Sequence, residues 1–193
     1  RTRRGSATRW PRSSGPSSTV AEPRRGVRVG VDVGSVRVGV ARSDADGILA
    51  TPVTTVARDV AAEQAAGGDP DVGPVVSIVE ELEALEVVVG LPRTLAGEDG
   101  PAAQAARRYA HVLASRVGDR PVRLVDERLT TVDAHRGLRD SGVPGRRHRE
   151  VVDQAAAVLI LQAALDAERA AGRPPGERVG SRRRKARTKD RDG

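Results

Sequence analysis

The sequence predicts an α/β domain on a mixed sheet: a three-strand antiparallel meander, then alternating helices and parallel strands. Three observations carry this reading. Three Val-rich runs, "VRVGVDV" (27–33), "VRVGVARSD" (36–44) and "ILATPVTTV" (48–56), follow one another across short turns. After them, stretches of helical spacing alternate with short β-branched runs, which is how a parallel sheet with crossover helices is written. The length of 193 residues allows one domain with a full core, and a hydrophobic fraction of 38% with only 1% aromatic means that Val, Leu, Ile and Ala must build it.

The elements follow in order. Only "GS" (34–35) separates the first two strands, a hairpin signal. "AAGGDPDVGP" (65–74) is a loop by composition and reads as a local insertion. "VVSIVEELEALE" (75–86) has helical spacing, with Val76, Val79, Leu82 and Leu85 on one face. "VVVGLP" (87–92) is a short apolar run, a buried parallel strand. "GPAAQAARRYAHVLASRVG" (100–118) is a helix with Pro101 suited to its first turn. "PVRLVDERL" (121–129) is a strand, and "TTVDAHRGLRDSG" (130–142) a helix with a Thr cap and a Gly stop. "REVVDQAAAVLILQAALDAERAAG" (149–172) is the longest helix, and no internal repeat is visible.

Charge divides the chain. Residues 1–28 hold eight Arg against Glu22, and residues 171–193 hold nine Arg and Lys against three acids, so the ends are +7 and +6. The net charge is +7, which leaves residues 29–170 at −6: the body is acidic and the ends are basic. Residues 1–26 and 172–193 are Arg, Ser, Pro and Gly with little to bury and read as disordered basic tails around a domain at 27–171. "RRRKARTK" is either a nucleic-acid patch or a solubilising tail. The absence of Cys excludes disulfides and thiolate metal sites and fits a reducing compartment. No apolar run approaches the ~20 residues of a membrane span, and the Arg-rich start lacks the apolar stretch of a secretory signal.

The carboxylates point to chemistry. Asp32 lies on the first strand, Glu127 at the end of another and Asp153 in the longest helix, on the face of Ala156, Ala157, Ile160 and Ala164. A carboxylate on an apolar face is costly unless paired or metal-bound. In "VRLVDE", alternation sends Asp126 and Glu127 to opposite faces, so at most one of them shares a site with Asp32. Three acids from three elements, without Cys, suggest an oxygen-ligand site for Mg²⁺ or Mn²⁺. Two such ions about 4 Å apart clamp the attacking water and the leaving oxygen of a phosphodiester.

Four segments in order, "VGVDVGSVRVGVARSD", "VVVGLPRTLAGEDGPAAQAA", "LVDERLTTVDAH" and "VDQAAAVLILQAAL", resemble the YqgF/RuvX family, over roughly 27–166. The resemblance implies an RNase H-like fold related to RuvC-type resolvases, and a nuclease associated with maturation of the 5′ end of 16S rRNA in the cytoplasm. By position it makes Asp32, Glu127 and Asp153 the catalytic acids and ligands of two Mg²⁺ or Mn²⁺ ions, with Asp126 as an alternative ligand. It also sets Arg37 and the "GLPRTLAGEDG" loop, with Arg93, near the substrate backbone, and Arg128 is a further nucleic-acid-binding candidate. Arg146, Arg147, His148 and Arg149 form a basic cluster before the last helix and are candidates to grip nucleic acid. His111 and His135 read as surface residues, and Trp10 as an idle or base-stacking tail residue.

The partner implied is a pre-rRNA or a branched DNA, with ribosomal particles a further one. A resolvase would act as a homodimer with two sites, whereas an rRNA nuclease can act as a monomer. Two other classes compete. A catalytically silent RNA-binding protein gains nothing from three acids facing phosphate. An actin-like kinase needs a second phosphate hairpin and an adenosine-binding segment, and this chain shows neither.

Overall fold

The structure, a computed structural model, describes residues 24–65, 70–93, 99–127 and 146–180, with the side chains of 62, 64, 65 and 146–153 outside that description. Among the described residues six strands form one sheet in the order β3-β2-β1-β4-β5-β6. They are β1 (Arg28–Val33), β2 (Arg37–Ser43), β3 (Ala50–Ala57), β4 (Glu86–Leu91), β5 (Val122–Asp126) and β6 (Glu177–Arg178). The first three make the antiparallel meander, β1, β4 and β5 run parallel, and β6 returns antiparallel beside β5. The described helices are α1 (Val60–Ala65), α2 (Gly73–Glu81), α3 (Pro101–Arg116) and α4 (Arg146–Ala171). The mixed α/β architecture is the one the sequence predicts. The helix expected at 130–142 lies outside the described residues, as do both terminal stretches, 1–23 and 181–193.

Alternation in the strands builds two cores. Val29 and Val31, Val87, Val89 and Leu91, and Val122 and Leu124 face α2 and α3 around the buried Tyr109. Val88 and Val125 face α4, through Ala157, Ile160, Leu161, Ala164 and Leu165. Small residues let α4 come close. A Cβ on Gly30 would stand 2.6 Å from Leu161 Cβ and 3.0 Å from the Ala157 carbonyl oxygen. At the other end Arg28 bonds to Glu168, so α4 runs antiparallel to β1.

Three expectations shift. The apolar face of α2 is Val75 and Val79, continued by Val72 before the helix; Val76 and Leu82 are only partly buried, and the helix ends at Glu81, before Leu85. Steps of three lag the 3.6-residue turn, so Val76–Val79–Leu82–Leu85 drifts off the stripe that alternating steps of three and four keep. The hairpin turn takes three residues, 34–36, closed by the Gly34 amide donating to the Arg37 carbonyl at 2.8 Å. The structured frame also reaches past 27 and 171: Arg24 grips Glu86 and Glu168, and β6 pairs with β5.

Candidate metal and nucleic-acid site

The sheet's topology picks out one place. β1 continues into β2 on one side and has β4 on the other, so the chain's course reverses between β1 and β4. In open α/β sheets the crevice beyond the carboxyl ends of the strands at such a point is where ligands bind. Asp32 is there, next to last in β1 and only 4% exposed. It shares its face with Gly30, the face against α4, because Val29 and Val31 take the other.

Glu127 comes to the same face. Val125 faces α4, so the residue two further on does as well, while Asp126 goes with Leu124 to the α3 side. Glu127 is 5% exposed, and its Oε1 stands 2.8 Å from where a Cβ on Gly90 would be. Its carboxylate therefore folds back over β4, the strand beside β1. Gly90 is one step past the Val31–Val89 pair, at the level of Asp32. The missing side chain of Gly90 is the space that the Glu127 carboxylate fills.

Asp153 is placed by its helix backbone. Gly30 meets α4 at Ala157 and Leu161. Two residues along β1 cover about 6.6 Å, and one helical turn covers about 5.4 Å. Moving from Gly30 to Asp32 thus moves one turn back along the antiparallel helix, from Ala157 to Asp153. Its side chain is outside the description. Two buried acids on one face of neighbouring strand ends, one of them seated in a cradle that a Cβ would fill, offer the oxygen donors that suit a hard divalent cation.

The hairpin after Asp32 is braced. A Cβ on Gly34 would stand 2.8 Å from the Arg37 carbonyl oxygen, so the turn demands glycine there. Arg58 donates to the Gly34 carbonyl at 2.7 Å and is itself held by Glu63 at 2.6 Å. Arg37 opens β2 right after this turn and is half-buried.

Arg93 lies past the end of β4 on the α3 side. Its Nε is 3.9 Å from Asp126 Oδ2 and 3.9 Å from Asp99 Oδ1. Asp99 is fixed by Arg107 of α3 at 2.6 Å, and that bond, against the cost of desolvation, raises the Arg107 pKa. The sequence reading singled out Arg93 but gave no role to Asp99, within the same "GLPRTLAGEDG" stretch, or to Arg107 just past it; their pairing shows only in the fold. Arg128 lies outside the described residues, and Arg146, Arg147, His148 and Arg149 are placed only as the first turn of α4.

Among the described residues no helix is long and apolar enough to cross a membrane. A family model described as "RuvX: Holliday junction resolvase" matches residues 26–167. A Streptomyces coelicolor protein is 56% identical over 157 residues, covering 81% of this chain and 89% of that one. A Nocardia farcinica protein is 57% identical over 158 residues, covering 81% and 86%. Both carry the name "Putative pre-16S rRNA nuclease". Among solved structures, Thermus thermophilus RuvC in complex with a Holliday junction substrate aligns with a TM-score of 0.52 at 15% identity, over 80% of this chain and 99% of that one, a likeness of fold.

Proposed function

The chain belongs to the RuvX family, and from that membership we propose that it is a divalent-metal-dependent endonuclease that cuts structured RNA in maturing the 5′ end of pre-16S rRNA. The observation that supports the reading is the burial of two acids, Asp32 and Glu127, at neighbouring strand ends beside the reversal point of the sheet, with Glu127 Oε1 seated over Gly90. Relatives at 56–57% identity bear the matching name.

Asp32, Glu127 and Asp153 are the residues that would hold Mg²⁺ or Mn²⁺. The ions would supply a water acidic enough to attack phosphorus and would neutralise the leaving oxygen. The protein's own work is positional. Strand β1 holds Asp32 rigidly between two neighbouring strands, β5 and Gly90 set Glu127, and α4 brings Asp153. Burial of the acids keeps bulk water away and strengthens their hold on a cation. Arg37 and Arg93 stand near the rim to take backbone phosphates, as guanidinium forks do. Arg128 and the Arg146, Arg147, His148 and Arg149 group are proposed to extend that contact.

The family model's description and the RuvC-like fold favour a second reading, resolution of a four-way DNA junction. One experiment separates the two: cleavage of labelled pre-16S rRNA and of a labelled four-way junction, side by side, with Mg²⁺, Mn²⁺ and EDTA. Metal-dependent cutting of the RNA alone supports the first reading. Symmetric cutting of the junction alone replaces it with the second.

A further inference from the structure

We infer that Asp126 is a positioning residue: from the face of β5 opposite Glu127 it holds the Arg93 guanidinium at the strand ends, where Arg93 takes a substrate phosphate flanking the one that is cut. The inference rests on the nuclease reading above.

Register places the pair. Asp126 is opposite Leu91, the last residue of β4. Arg93 is two residues past Leu91 and so continues the same face, on which Asp126 also stands. Both ends of the 94–98 segment meet here, since Asp99 is 3.9 Å from Arg93 Nε as well. Asp99 in turn is gripped by Arg107, which reaches Glu177 of β6 at 3.2 Å. Arg93 is thus framed by a carboxylate from β5 and a carboxylate tied to α3.

The distances say what kind of hold this is. At 3.9 Å neither carboxylate is hydrogen-bonded to Arg93 Nε, and that atom is shut off from water without a hydrogen-bond partner. Pairs this long and partly solvated add little to stability. What they do is restrict a long side chain that would otherwise sample many rotamers, so that less entropy is lost when it grips phosphate. The Arg93 side chain remains 31% exposed, open to a ligand. The same geometry separates Asp126 from the metal. Its backbone position sends it to the α3 face, and it already stands beside a cation, while Glu127 serves the α4 face. The two adjacent acids of "DERL" divide the substrate between them, one for the ions and one for the backbone.

The test uses the full chain as wild type, Asp126→Asn, Arg93→Gln and the double variant, in cleavage of pre-16S rRNA titrated with Mg²⁺. Arg93→Gln should lower kcat/KM about tenfold through KM, the size of a charge-assisted hydrogen bond, and Asp126→Asn should lower it a few-fold, also through KM, the smaller effect of a lost rotamer restraint. The Mg²⁺ requirement should not move. The double variant should be no worse than Arg93→Gln alone, because Asp126 acts through Arg93. Arg93→Lys should recover part of the KM loss. Thermal melting controls for folding; if Asp126→Asn melts early, Asp99→Asn reads the same frame from its other side. A collapse of kcat with a raised Mg²⁺ requirement in Asp126→Asn would make it a metal ligand and overturn the inference. Additive losses in the double variant would overturn it too. A wild type that neither binds nor cuts RNA overturns the nuclease reading, and this inference with it.

Discussion

Gly90 is the residue on which the site turns. A Cβ there would stand 2.6 Å from Ile160 Cδ1 and 2.8 Å from Glu127 Oε1, so α4 and the carboxylate both depend on its absence. Gly90→Ala should therefore cost about 1–3 kcal/mol as overpacking and displace Glu127 from β4. Cleavage should fall much further than the melting temperature accounts for. Comparing melting curves with turnover checks this; a loss of activity proportional to unfolded fraction would mean that Glu127 is not held there. The burial of Asp32 and Glu127 was not legible in their motifs alone, but simple alternation in "VRLVDE" already set Asp126 apart from Glu127. Gly90 was not legible as a support. A glycine carries no side chain to announce a role, and the neighbours that need the space come from β5 and α4, far off in sequence.

At the scale of elements, α4 is tied to the sheet by apolar contacts near the site and by charge at its far end. Arg24 makes paired bonds to Glu86 and to Glu168, and Arg28 and Arg123 add further contacts to these acids. Burial raises the Glu168 carboxyl, but bonds from Arg24 and the charges of Arg28 and Arg24 outweigh it and the net shift is downward. A lowered folded-state pKa gives stability that is complete above the ordinary value of 4.5 and is lost as pH falls below it. Melting of wild type and Glu168→Gln across pH should thus show a gap at neutral pH that closes below pH 4.5; a gap constant with pH would contradict the linkage. Sequence periodicity found α3, α4 and the strands because their patterns are long or strongly β-branched. It misjudged the buried stripe of α2, whose nine residues give few turns to fix a phase. It missed β6, whose two residues sit among Pro and Gly and owe their strand geometry to β5 alone.

Across the described residues, Asp32 and Glu127 lie at one end of the sheet and the tie of Arg24 to Glu86 at the other. Asp32 and Glu127 are at the carboxyl ends of parallel strands. Arg24 is bound at their amino ends, to Glu86, and β6 runs back along β5 so that the Val179 amide reaches the Val122 carbonyl. A chain cut to 27–171, the bounds that composition suggests, loses both ties and strips buried Glu86 of its bidentate partner. It should be less stable than a 24–180 chain by about 1–3 kcal/mol, read as a lower midpoint in urea. Equal midpoints would show that neither tie matters.

The proposed nuclease activity stands or falls with Asp32 as a metal-binding acid. The most direct measurement is cleavage and binding of pre-16S rRNA by wild type and Asp32→Asn in Mg²⁺. Losing a ligand should abolish cutting, while removing one negative charge near phosphate should leave RNA binding intact or tighter. Wild-type cleavage by Asp32→Asn would contradict the account.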